Sequence, residues 1–225
     1  MLSLERIEQI TKIFPQSGIL LYLLFNQRNK STSFSYDTKH EDPKERAIVL
    51  IPGRNNNTRA FRYILQSNCL KSYQPYTFDY NTRVPIQETL PHLLSFIANI
   101  NESEISLLGH SKGGLLAKQA TLLCDRRIDK LVTLATPHLG TLLVHLPFLE
   151  RTKSHIDLED FKNTLDFNPN ANLFFNLVPY WDLMILPNSR LLSVYARNVF
   201  TNTYGHDSVI YSKRCIDLVS DIFRV

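Results

Sequence analysis

Glycine is scarce in this chain, at seven among 225 residues, and cysteine is scarcer, at three. Cys69, Cys124 and Cys215 are widely spaced, odd in number and set among apolar neighbours. Such spacing argues against a disulfide framework, the alternative, and predicts buried free thiols in a reducing compartment. No cysteine–histidine cluster has zinc-ligand spacing, so neither a metal nor a cofactor is expected. Long apolar runs are also missing. Ile19–Phe25 falls far short of the ~20 residues a membrane span requires. It is too short for a signal-peptide core, follows a segment carrying both charge signs, and precedes no small-residue cleavage site. A cytoplasmic location is the expectation. Basic clusters are absent as well. Twenty-five Lys and Arg against 21 Asp and Glu give a net charge of +4, but the cations are scattered, which argues against a nucleic-acid partner. Repeats and low-complexity tracts do not occur.

What is present suits one globular domain with an appendage: 44% of residues are hydrophobic and 20% charged. Residues 1–45 form the appendage. Leu2–Phe25 predicts one or two amphipathic helices that pack on the body or on a partner, with peripheral membrane contact as the alternative. Asn26–Glu45 is a polar linker. Residues 46–225 form the body. Ala47–Ile51 is a continuous apolar run closed by Pro52-Gly53, the pattern of a strand buried on both faces. Further strands are predicted at Tyr76–Tyr80, Ile105–Leu108, Ile128–Ala135, Leu173–Tyr180 and Val194–Thr201. Helices are predicted at Thr58–Leu70, Ile86–Ile100 (with Pro91 perturbing an early turn), Lys112–Cys124 and Ser208–Phe223. Strand followed by helix, repeated, predicts an α/β fold with a mostly parallel sheet covered on both faces.

Sites in such sheets lie at the carboxyl ends of the strands. Gly53-Arg54, Ser111, Thr136-Pro137-His138, Asp182 and His206 all fall at predicted strand ends. Ser111 sits in "ISLLGHSKGGLL", a Gly-x-Ser-x-Gly pattern between an apolar strand and a helix. Two readings compete there: a tight turn that needs small residues, and a strained turn that presents the serine as a nucleophile. A serine hydroxyl requires a base. Of the seven histidines, His206 in "TYGHDSVIYS" is the best placed, between the last strand and last helix; capping of that helix is its structural alternative. His110 lies inside the turn and is expected to pack or support rather than react. The base needs an orienting carboxylate. Asp182 follows a strand and precedes His206, giving the order Ser, Asp, His, although it also suits a helix N-cap. Asp207 adjoins His206 and is expected to point away from its ring.

The segments "LLGHSKGG", "LVTLATPHLGT", "DLMILPNSRLL" and "GHDSVIYS" together resemble α/β-hydrolases of the bacterial triacylglycerol lipase group, from about Ile48 to the C-terminus. The resemblance implies an α/β-hydrolase fold with Ser111 as nucleophile, Asp182 as acid and His206 as base. It also implies an oxyanion hole made by the backbone N–H groups of Arg54 and Lys112. Where the family commonly has His-Gly-x after the first central strand, this chain has Pro52-Gly53-Arg54.

A lysine directly after the serine is a further departure, because the family often has an apolar residue there. If the Lys112 and Arg54 side chains both reach the pocket mouth, two cations flank the ester and favour anionic acyl substrates; cations leaning away are the alternative. His138–Asn172 is long for a connection and predicts a cap. His138, Leu139 and Leu142 are candidate pocket residues, and the apolar stretch Leu139–Leu149 favours a lipid ester. The expected activity is carboxylic-ester hydrolysis. A thioesterase or acyltransferase would use the same residues, and a non-catalytic binding protein would keep the turn as scaffold. Oligomeric state is open.

Overall fold

The computed structural model describes residues 44–67, 70–142 and 165–224. The predicted N-terminal helices, Cys69 and most of the expected cap lie outside them. Six strands form one sheet: β1 (Arg46–Ile51), β2 (Tyr73–Thr77), β3 (Glu104–His110), β4 (Ile128–Leu134), β5 (Ala171–Val178) and β6 (Arg197–Phe200). Their spatial order is β2-β1-β3-β4-β5-β6, and every pairing is parallel. The α/β expectation therefore holds.

Parallel strands carry helices on both faces, so their residues must be apolar on both sides. In β1, Ala47 to Ile51 are all fully buried, and alternate residues face two cores. Ala47, Val49 and Ile51 pack under α2 (Ile86–Ala98) and α3 (Lys112–Leu123). Ile48 and Leu50 pack against the opposite layer. That layer contains a 3-10 turn at Thr58–Phe61, the short α1 (Arg62–Gln66), α4 (Ser208–Tyr211) and α5 (Lys213–Arg224). Each large aliphatic side chain buried this way contributes about 1.5–3 kcal/mol.

The boundaries differ from expectation where sheet edges or chain bends intervene. The second strand begins at Tyr73 rather than Tyr76 and includes Pro75. Proline is tolerated because β2 is an edge strand, bonded only to β1. The sixth strand begins at Arg197 rather than Val194, because Ser193 and Val194 are bound instead by the Asp166 carboxylate. The predicted helix from Thr58 splits into the 3-10 turn and α1. The last helix splits at Ser212, whose extended backbone (ψ 132°) separates α4 from α5. Pro91 does not break α2, because it and Gln87, whose carbonyl loses the helical bond, both face water.

The chain leaves β1 toward β2 and returns to β3 on the other side of β1. The loops after β1 and β3 therefore diverge and leave a crevice at their carboxyl ends, the topological switch point of the sheet.

Candidate active site

Ser111 occupies the turn between β3 and α3 with φ 52° and ψ −120°. A non-glycine residue held there costs about 1–3 kcal/mol and persists only when its surroundings enforce it. The sparse glycines provide the enforcement. A Cβ on Gly109 would stand 2.5 Å from the Gly113 carbonyl oxygen, and one on Gly113 would stand 2.2 Å from that of Ile51. The turn thus closes on itself and against β1 only without those side chains. The Ser111 N–H donates to the Leu134 carbonyl at 2.9 Å, tying the turn to the end of β4.

His206 and Asp182 arrive on two loops joined like a continued pair of parallel strands. The Tyr180 N–H donates to the Thr203 carbonyl at 2.8 Å, and the Gly205 N–H donates to that of Trp181 at 2.7 Å. Gly205 has φ 102°, a region that favours glycine. Asp182 is fully buried. Its Oδ1 accepts the N–H groups of Met184 at 2.8 Å and Ile185 at 3.1 Å, which aims Oδ2 at His206. Asp182 Oδ2 lies 2.6 Å from His206 Nδ1, and His206 Nε2 lies 2.7 Å from Ser111 Oγ. The three side chains form one hydrogen-bonded row. A carboxylate accepts from Nδ1–H, so Nε2 is left to accept the serine proton. Burial acts to lower the His206 pKa, but Asp182, and to a lesser degree Asp207, outweigh it, and the net direction is upward from 6.5. The row can therefore carry the imidazolium that proton transfer from serine would create.

The loop after β1 packs directly on this row. A Cβ on Gly53 would stand 2.9 Å from the Ser111 Cβ. A turn closes from the Asn56 N–H to the Gly53 carbonyl at 3.1 Å, with Asn55 at φ 59°. The Asn55 N–H donates to Thr82 Oγ1 at 2.9 Å, and the Tyr80 hydroxyl donates to the Pro52 carbonyl at 2.8 Å. Arg54 sits inside this turn. Lys112 opens α3, and helix geometry directs the N–H groups of the first turn toward the Ser111 end.

Two expectations are corrected. The Lys112 side chain does not reach a pocket mouth: it is fully buried, and Nζ donates to the Val84 carbonyl at 2.6 Å. A pair of cations flanking the substrate is therefore not formed. His138 is not a pocket residue either. It is fully buried on the α3 side of the sheet, with Nε2 3.2 Å from Thr133 Oγ1 and its ring edge-on to Phe174. Burial and the nearby Lys118 cation hold its pKa down at about 3. Leu139 and Leu142 do stay near the surface, 39% and 49% exposed, and hydrogen-bond through their N–H groups to the carbonyls of Arg190 and Leu186. They thus border the loop that carries Asp182.

Tertiary structure assembles two further polar groups. Lys118 and Asp166 form a buried ion pair beside His138. The Lys118 ammonium lies 4.4 Å from the Phe167 ring centroid, within cation–π range. A second group, Asn56, His110 and Asp207, lies behind His206. Its sequence signals were the place of His110 inside the serine turn, where a supporting role was expected, and the adjacency of Asp207 to His206; Asn56 was not singled out. Cys124 and Cys215 are free thiols, half-buried and buried. Among the described residues no His/Cys/Asp/Glu group of three has metal-holding geometry, and no helix is long and apolar enough to cross a membrane.

The family model described as "PGAP1-like alpha/beta domain" matches residues 42–173, more than half of the chain. The match includes Ser111 and the Gly53 loop and ends before Asp182 and His206. No curated protein matches. Among solved structures, the mature lipase BlEst2 of Bacillus licheniformis is similar at TM-score 0.60 and 18% identity, covering 84% of this chain and 96% of its own. The type II thioesterase BorB from the borrelidin biosynthetic cluster is similar at TM-score 0.59 and 16% identity, over 87% of this chain and 99% of its own. The bottromycin epimerase BotH also reaches TM-score 0.59, at 11% identity over 82% of this chain and 92% of its own. Likeness at these identities shows the shared α/β-hydrolase fold, on which several chemistries are built.

Proposed function

Because this chain belongs to the PGAP1-like alpha/beta domain family, we propose that its buried Ser-His-Asp row makes it a serine hydrolase that cleaves carboxylic esters. The observation carrying this reading is the continuous hydrogen bonding from Asp182 Oδ2 through His206 to Ser111 Oγ. A strained serine backbone supports it, since a plain turn serine does not require φ 52°.

In the proposed reaction His206 Nε2 takes the Ser111 proton as Oγ attacks the ester carbonyl carbon. The tetrahedral oxyanion accepts from the backbone N–H groups of Lys112 and Arg54. His206 then returns the proton to the leaving alcohol oxygen as the carbon–oxygen bond breaks. Water, deprotonated by His206, attacks the acyl-serine, and collapse of the second intermediate releases the acid and restores Ser111. No step requires a cofactor.

Apolar Leu139 and Leu142 beside the Asp182 loop favour a lipid acyl group, and exposed Tyr180 and Trp181 next to Asp182 add apolar surface. That rim is also the proposed place of contact with a membrane surface. Thioester hydrolysis would use the same atoms, and the likeness to a thioesterase makes it the second reading. The test is a fluorophosphonate probe followed by a panel of esters and thioesters of varied acyl length. Covalent labelling lost in Ser111→Ala, with turnover on esters, supports the proposal. An unlabelled wild-type protein without turnover would show a non-catalytic scaffold.

A further inference from the structure

The row of Ser111, His206 and Asp182 leaves a second buried carboxylate beside it unexplained. Asp207 follows His206 and is 8% exposed. Its Oδ1 accepts from Asn56 Nδ2 at 3.4 Å and lies 3.7 Å from His110 Nε2. The same His110 nitrogen is 3.3 Å from the His206 carbonyl oxygen. A carbonyl only accepts, so His110 Nε2 carries the proton and donates to the His206 carbonyl, with Asp207 Oδ1 alongside at 3.7 Å. His110 Nδ1 is then the lone-pair nitrogen. It is buried without a partner and faces Gly53, where an added Cβ would stand 2.9 Å away.

Three segments meet at this carboxylate: the loop after β1 through Asn56, the end of β3 through His110, and the His206 loop itself. We propose that Asp207 is a positioning residue for the acyl-transfer reaction, fixing the backbone that carries His206 and holding a second negative charge behind its imidazolium. The inference rests on the reading of Ser111 as nucleophile.

The surrounding charges agree with this role. His206 is faced by Ser111, Asp182, His110 and Asp207. Asp207 is faced by Asn56, His110, His206 and Asp182, and by Tyr211, over whose ring the Arg62 guanidinium lies at 5.6 Å. His110 does not neutralise Asp207, because burial, and then repulsion from His206, hold its pKa well below 6.5. Burial raises the Asp207 pKa and the Asp182 carboxylate adds to the rise; a cationic His206 and the Asn56 hydrogen bond offset part of it, and the net direction is upward. Asp207 is thus most favoured as an anion when His206 carries a proton, the state formed during serine attack. Both groups are buried, so the field of the carboxylate on the imidazole is screened less than it would be at the surface.

The experiment compares wild type with Asp207→Asn, which removes the charge but keeps an oxygen for Asn56. His206 is titrated by NMR in protein carrying 13C-labelled histidine, with its signal assigned by difference from His206→Gln. Ester kcat and KM are measured over the same pH range. Wild-type His206 is expected to titrate above 6.5, because the Asp182 carboxylate outweighs its burial. The expected result for Asp207→Asn is a downward shift of about 1 pH unit, with the acidic limb of kcat/KM moving equally. Its plateau kcat falls about three- to tenfold and KM stays within twofold. Asn56→Ala removes the tether and, with it, the hydrogen bond that favours the Asp207 anion. It is expected to lower kcat about threefold, with the His206 titration moving down by less than in Asp207→Asn. A His206 titration in Asp207→Asn that coincides with wild type overturns the charge role, and unchanged kcat in Asn56→Ala overturns the tether. The titration needs no turnover, so a wild-type protein without hydrolase activity would refute the proposed function separately.

Discussion

The Lys112 ammonium donates to the Val84 carbonyl at 2.6 Å, so the cation next to Ser111 in sequence is turned away from Ser111 in space. Only its N–H stays by Ser111. The side chain instead fastens the start of α3 to the segment before α2. Lys112→Met should therefore leave the ratio of anionic to neutral ester hydrolysis unchanged. It should lower stability by about 1–3 kcal/mol, because a buried carbonyl loses its charged donor. Ester assays with matched head groups and urea unfolding read the two effects. A changed substrate ratio would return Lys112 to the pocket.

Asp182 is gripped by two backbone N–H groups that an uncharged amide oxygen can also engage. Asp182→Asn should fold normally and keep its loop. It would place an amide against His206 Nδ1 and so favour the wrong tautomer. The expected loss in kcat is about 10⁴-fold. Thermal unfolding checks that structure is retained, and a loss below tenfold would mean that Asp182 does not orient the base.

Gly113 approaches the Ile51 carbonyl oxygen more closely than any side chain allows, 2.2 Å for an added Cβ. Relief requires α3 to move away from β1, carrying Ser111 with it. Gly113→Ala is expected to destabilise the fold by about 3 kcal/mol and to abolish probe labelling at temperatures where the protein is still folded. Retained labelling in a stable variant would show that the turn tolerates the shift.

Lys118 and Asp166 pair across 48 residues of chain in the interior. Asp166 also accepts Ser193 Oγ at 3.0 Å and the Val194 N–H at 2.8 Å. Lys118→Met leaves a buried carboxylate without its counter-charge and should cost about 3–5 kcal/mol by urea unfolding. Adding Asp166→Asn removes that charge and should recover part of the loss. A single variant within 0.5 kcal/mol of wild type would mean that water reaches this pair.

Much of the site was legible because its signals are local. The Gly109–Gly114 segment reads as a strained strand-to-helix turn, since glycine is rare in this chain and a short apolar strand precedes it. Asp182 and His206 are each marked by a strand end and by chain order. Edges were less legible. The expected Tyr76 start of the second strand missed Tyr73–Pro75, which an edge strand accepts, and Ser193 and Val194 left β6 for a carboxylate that lies 27 and 28 residues upstream.

The sequence by itself determined the alternation of buried strands and helices, the serine turn, and the residues that converge at the carboxyl edge. Those features follow from periodicity, glycine placement and order along the chain. Tertiary structure alone decided where the flexible or buried polar side chains point: Lys112 toward Val84, His138 into the interior, and Asp207 toward Asn56. Each direction is set by a hydrogen-bond partner distant in the chain, and no spacing of neighbouring residues encodes that partner.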